Sequence, residues 1–183
     1  MAQRTLFTIG HSTRPWPEFV ALLKAWKIEE VIDVRTVPKS RAFPQFWKSQ
    51  MQKALPKAGI DYLHLVGLGG LRHSKKGSTN IGWRNASFRG YADYMQTSEF
   101  ATALKKLNEH RKGKRVCVMC SEAVWWRCHR RMIGDVEVAS GIPVKHVMSA
   151  TKATPHELTP FAKVKSRRGK TPLITYPKPA ASG

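Results

Sequence analysis

The stretch RTLFTIGHSTRPWPEFVALLKAW, residues 4–26, decides the fold of this chain. Its first part, Arg4 to Ile9, is rich in β-branched and aromatic side chains (Thr5, Phe7, Thr8, Ile9) and stops at Gly10, which predicts a short strand. From Trp16 to Trp26 the apolar residues Phe19, Val20, Leu22, Leu23 and Trp26 recur at helical spacing. Ser12 or Thr13 is placed to cap that helix, and Pro15 or Pro17 suits its first turn, where a missing N–H costs nothing. The unit is strand, loop, helix.

Working outward, the alternation recurs. Val31 to Val34 reads as a buried strand ended by the loop TVPKSR. A helix follows over Gln45 to Lys57, which Pro56 should end early, and then a strand over Asp61 to Val66. The polar loop GLGGLRHSKKGSTNIGWRN, residues 67–85, is long for a compact domain and marks a lid or binding loop. Helical periodicity returns over Phe88 to Met95 and Phe100 to Leu107, and Arg115 to Cys120 is the most strand-like run of all. A helix over Cys128 to Ala139, closed by Gly141, and a strand over Val144 to Met148 complete the pattern. No internal repeat is present. Strands alternating with helices predict an α/β fold in which a mainly parallel sheet carries helices on both faces. The expected organisation is a single domain over 1–150, followed by a basic, proline-containing, flexible tail over 151–183.

Of the 183 residues, 42% are apolar, enough for a core without disulfides and too many for a disordered chain. No apolar run approaches the roughly 20 residues that span a bilayer, and MAQRTLFTIG has no secretory apolar segment, so the expectation is a soluble, cytoplasmic protein without a membrane partner. Three cysteines without framework spacing point to reduced thiols. Lys and Arg number 32 against 12 Asp and Glu, a net charge of +20, which makes a polyanion the expected partner. Between Val34 and Ala92 the only acid is Asp61, among bases that include Arg35, Lys39, Arg41, Arg72, Lys75, Lys76 and Arg84. Nucleic acid, with DNA favoured, fits this stretch. No protein partner is indicated.

Reactive residues gather just past the predicted strand ends: His11, Ser12 and Thr13; Asp33 and Arg35; Gly67 to Gly70; and Cys120, Ser121 and Glu122. Ligands of parallel sheets bind at that edge, so one crevice can hold them all. The segments TIGHST, IDVRTVPKSR, IDYLHLVGLGG and CVMCSEAVWWRCHRRMIGDVEVASGIPVKHV together resemble the DUF488 proteins, a bacterial and archaeal family of unknown function, over about residues 5 to 148. The resemblance implies an α/β fold and a polar site containing His11, Ser12, Asp33, Arg35, Cys120, Glu122, Cys128, His129 and Arg130. With it comes a bacterial or archaeal cytoplasm, associated with the nucleoid when bound to DNA.

The reaction has to come from the side chains. Asp33 and Glu122, at the ends of different strands, form a candidate pair in which one carboxylate activates water and the other steadies a developing positive charge, as hydrolysis of an N-glycosidic bond requires, with His11 or His129 assisting the departing base; the alternative is that the same carboxylates only hold Arg35 and Arg130 in salt bridges. Trp83, Trp125 and Trp126 offer faces on which an extruded base can stack, with Trp83 the most exposed, and Arg130 adds charge. The leading expectation is a DNA-binding enzyme of base-processing type, a glycosylase-like hydrolase without cofactor.

Two alternatives stay open. Cys120, at a strand end before a helix, suits thiolate chemistry of phosphatase or sulfur-transfer type, although the phosphatase spacing is five residues from cysteine to arginine and Cys120 to Arg127 has six. The other is a nucleic-acid-binding protein with no activity. Cys120, Cys128 and His129 match no common zinc spacing and a fourth ligand is not evident, so no metal is expected. Cys117, between Val116 and Val118, reads as buried packing.

Overall fold

The computed structural model describes residues 5–179; residues 1–4, including Arg4 of the predicted opening strand, and 180–183 lie outside the described residues. Strands β1 (Leu6–Gly10), β2 (Glu30–Asp33), β3 (Asp61–His64), β4 (Val116–Cys120), β5 (Val144–Val147) and β6 (Ala153–Pro155) form one sheet in the order β3-β2-β4-β1-β5-β6. All neighbours pair in parallel except β5 and β6. The α/β expectation holds.

Period-two alternation sorts the central strands between two cores. Phe7, Ile9, Val31, Cys117 and Met119 face one side, covered by α1 (Trp16–Ala25) through Phe19, Leu22 and Leu23 and by α2 (Lys48–Lys57) through Met51 and Leu55. Leu6, Ile32, Val116, Val118 and Cys120 face the other. There they meet α3 (Ala86–Tyr94), α4 (Ser98–Gly113) and α5 (Arg130–Ala139) through Tyr91, Phe100, Leu104, Met132 and Ile133. Cys117 is therefore packing, as expected, and it faces away from Cys120.

Several boundaries differ from expectation for local reasons. Neither Ser12 nor Thr13 caps α1, whose N-cap is Pro15 without a side-chain bond; Ser12 takes a left-handed φ of 51° instead. Pro56 lies in the last turn of α2, where the helix runs one residue beyond it before Ala58. The long loop is pinned by Asp93 of α3, which accepts from the Lys75 amide at 2.8 Å, Ser78 Oγ at 2.6 Å and Asn80 Nδ2 at 2.7 Å.

The largest correction concerns the expected flexible tail. Beyond β6, strands β7 (Lys163–Arg167) and β8 (Lys170–Thr175) form an antiparallel hairpin. Ile174 and Tyr176 then enter the core on the α5 side. Tyr176 is fully buried, its amide donating to Asn80 Oδ1 and its carbonyl accepting from Gly82. Few apolar residues among many charges hid this, because three or four well-placed side chains suffice to dock the segment. Trp83 is corrected with it: rather than standing exposed, it is 6% accessible, in edge contact with Phe88 and Phe161 and beside Tyr176.

Tyr176→Ala is expected to destabilise the whole domain by about 3–5 kcal/mol, the usual cost of removing a buried aromatic ring. A denaturant curve measures it; a loss under about 1 kcal/mol shows the segment to be dispensable.

Candidate active site at the strand ends

The carboxyl ends of β1, β2 and β4 are adjacent, and the chain stays paired past them. His11 donates its amide to Cys120 O at 2.9 Å, and Ser12 donates to Ser121 O at 3.0 Å. The Glu122 backbone passes so close to Gly10 that a Cβ there would lie 1.9 Å from the Glu122 carbonyl oxygen, so only glycine fits. A cavity of about 570 Å³ opens over this edge, lined by His11, Ser12, Thr13, Arg35, Lys39, Cys120, Glu122 and His129 among others. That volume lies in the range of small-molecule sites.

Asp33 is fully buried and its oxygens are committed. Arg35 donates to it through Nε at 2.9 Å, Nη2 at 2.7 Å and the backbone amide at 3.0 Å, and Tyr62 Oη donates at 2.7 Å. It does not line the cavity. The expected carboxylate pair is thus corrected: Asp33 holds Arg35, and Glu122 stands on the cavity wall, exposed, with Oε1 accepting from the Val124 amide at 3.1 Å.

His11 is also occupied. Its Nδ1–H donates to Ser12 O at 2.8 Å, Nε2 accepts from Arg35 Nη1 at 3.1 Å, and the ring stacks on Phe46 at 4.1 Å. Burial, partly offset by the bond to Ser12, lowers its pKa to about 4, so it is neutral and has no proton free for a leaving base.

Beside these lie two thiols. Alternation turns Cys120 toward the start of α5, where Cys128 Sγ accepts from the Arg130 amide at 3.5 Å and Arg130 Nε at 3.4 Å. Burial opposes ionisation of Cys128, but a bond from Cys120 and the Arg130 guanidinium outweigh it and bring the pKa down to about 6. Donating that bond, together with burial, pushes Cys120 up to about 12. The two thiols are thus shifted in opposite directions, Cys128 down and Cys120 up. His129 donates Nε2–H to Val34 O at 3.2 Å.

Sequence reading missed a buried chain behind the site. Arg130 Nη1 donates to Thr8 Oγ1 at 3.2 Å, whose hydroxyl donates to His146 Nδ1 at 2.7 Å. His146 Nε2–H donates to His156 Nδ1 at 2.9 Å, and His156 Nε2–H donates to Asp135 Oδ1 at 2.9 Å. Tyr176 Oη completes it on Asp135 Oδ2 at 2.7 Å. Arg130 Nη2 donates to the Glu122 carbonyl. Asp135 on the apolar face of α5 was the one signal available.

The domain of unknown function DUF488 matches this chain over residues 15–136. The chain belongs to that family. No curated protein and no solved structure matches it. The DUF488 match takes in Asp33, Arg35, Cys120, Glu122, Cys128, His129 and Arg130, and leaves out His11, His146, His156 and Tyr176.

The expected nucleic-acid contacts divide by exposure. Lys39, Arg41, Lys75, Lys76, Arg84 and Trp126 are exposed. Arg72 is half-buried, with its guanidinium 3.7 Å from the Tyr94 ring centre. Trp83, Arg35 and Arg130 are interior, and Trp125 is half-buried and stacked on His146 at 4.1 Å.

Two outcomes follow. Asp33→Asn should cost about 3–5 kcal/mol by stranding the buried Arg35, read as a fall in denaturation midpoint; unchanged stability restores Asp33 to a catalytic part. Because His11 is neutral in the fold, unfolding takes up a proton below its ordinary pKa of 6.5. Its contribution to stability is complete above that value and is lost as pH falls toward 4, at up to about 1.4 kcal/mol per unit. His11→Gln should flatten the pH dependence of stability between 6.5 and 4.5.

Proposed function

We propose that the protein is a nucleic-acid-binding hydrolase of base-processing type, which draws an extruded base into the strand-end cavity and removes it by hydrolysis, with Glu122 as the carboxylate at the reacting bond. The observation that carries this reading is Glu122 itself, an exposed carboxylate on the wall of a cavity whose other charged groups, Arg35 and Lys39, are cationic. A glycosidic bond breaks with positive charge developing on the sugar, and a carboxylate beside it both steadies that charge and accepts a proton from water.

Two further features favour an extruded base. Val37 and Leu71, 65% and 73% accessible, line the same cavity, and Leu71 holds a left-handed φ of 55°. Exposed apolar side chains on a basic surface serve as wedges between base steps, and a strained backbone at such a place is consistent with function. The exposed bases nearby supply affinity through phosphate contacts, at a net charge of +20.

A second reading rests on Cys128, whose sulfur accepts two N–H donors from Arg130, an environment that suits thiolate chemistry on an anionic substrate.

The test is a panel of duplexes carrying uracil, hypoxanthine, oxidised and alkylated bases, assayed for free base and alkali-labile strands. Release from at least one substrate is expected, with Glu122→Gln lowering the rate at least 100-fold at unchanged melting temperature. Leu71→Ala should slow release from duplex more than from single strand. No release from any substrate, or full activity in Glu122→Gln, overturns the reading. DNA affinity should also fall at least tenfold between 50 and 200 mM salt; salt-independent binding removes the polyanion partner.

A further inference from the structure

We propose that Cys120, Cys128 and His129 form a binding site for one zinc-class divalent ion, open to the strand-end cavity. The sulfur of Cys120, the sulfur of Cys128 and one ring nitrogen of His129 all lie within 4.8 Å of one another. Cys128 Sγ and His129 Nδ1 are 3.7 Å apart. A tetrahedral ion with bonds of about 2.0 Å to nitrogen and 2.3 Å to sulfur has ligand edges of about 3.5 Å, so small side-chain rotations close the triad around it.

Each donor is prepared by its surroundings. His129 commits Nε2–H to the Val34 carbonyl at 3.2 Å, so its lone pair sits on Nδ1, the nitrogen beside Cys128. That is how metal-bound imidazoles are fixed in tautomer and orientation. Arg130 supplies two N–H donors to Cys128 Sγ, as second partners of ligating thiolates do. Gly70 makes room, since a Cβ there would lie 3.1 Å from His129 Nδ1. Cys117, on the opposite face of β4, takes no part.

Donor type sets the metal class. Two thiolates and an imidazole select zinc over magnesium or calcium, which prefer oxygen. Three protein ligands with a fourth position facing a cavity is the arrangement of catalytic rather than structural zinc. The sequence spacing hid it because the first ligand ends a strand and the other two open a helix. Cys120 and His129 line the cavity together with Glu122, which is not a ligand. Zinc-dependent base deaminases pair a Cys/Cys/His-bound ion with such a glutamate, directing the ion's water to the base ring, whereas in the hydrolase proposed above that water attacks the sugar carbon of the glycosidic bond. This role for the ion rests on the hydrolase reading: the ion binds a water and lowers its pKa, and Glu122 takes the proton that the water gives up. The site itself does not depend on that reading.

The test uses the full chain, reduced, freed of metal by dialysis against chelator and titrated with Co²⁺. One equivalent is expected to bind, giving tetrahedral d–d absorption and a thiolate-to-cobalt charge-transfer band, both displaced by Zn²⁺. Cys117→Ser should keep them. Cys128→Ser and, as a milder change at the cavity wall, Cys120→Ser should drop bound cobalt from one per chain to none, with circular dichroism reporting that each variant is folded. Absence of the charge-transfer band in the wild type, or its persistence in Cys120→Ser, overturns the site. Cobalt binding without base release on any substrate keeps the site and removes the hydrolase reading. Base release by metal-free protein that binds no cobalt does the reverse.

Discussion

A guanidinium with 1% exposure, that of Arg130, holds the site together. It reaches the Glu122 carbonyl, the Thr8 hydroxyl and the Cys128 sulfur, so that one side chain ties together the segment after β4, the middle of β1 and the start of α5. A buried cation is tolerated only if every donor is satisfied and compensating charge lies near. Here the Cys128 sulfur accepts from it at close range, and Asp135 is reached through four hydrogen bonds. Losing any link leaves the positive charge partly unanswered in a medium of low dielectric, which is why residues far from the cavity matter to its shape.

Arg35 solves the same problem by other means. Asp33 answers it directly, two residues away in sequence, with Tyr62 and the Phe46 carbonyl completing the shell. The Arg35 ion pair is local and self-contained, whereas the Arg130 chain gathers Thr8, His146, His156 and Tyr176 from four separate parts of the chain. One strand-end cavity is therefore framed by a rigid pair on the β2 side and a distributed network on the β1 and β5 side. Glu122 lies between the two.

How far these features could be read in the amino-acid sequence follows the range of each interaction. The five parallel strands were legible because period-two apolar runs such as VCVMC report on their own burial. His11, Arg35, Cys120 and Glu122 were legible as a group because parallel strands place the residues after them on one edge. Asp33 is legible at that edge both as a catalytic carboxylate and as a partner of Arg35; the structure shows the Arg35 pair, and the choice depends on rotamers that no spacing encodes. Trp83 was misjudged by its polar neighbours; its burial comes from Phe161 and Tyr176, almost 80 and more than 90 residues later. The histidine chain was invisible for the same reason, because a tautomer is set by a partner found only after folding.

Tyr176 closes the Arg130 chain from a position 41 residues after its partner Asp135 and 96 after Asn80, which accepts its amide. A ribosome makes Tyr176 after the whole family region, residues 15–136. The strands and helices of the family region can collapse earlier, yet until the β7–β8 hairpin emerges Asp135 lacks the Tyr176 hydroxyl and Trp83 lacks its cover. Such late, long-range closure is slow relative to local pairing, because loop entropy is lost before the contact repays it. The order of synthesis thus sets the five parallel strands ahead of the residue that closes the Arg130 chain.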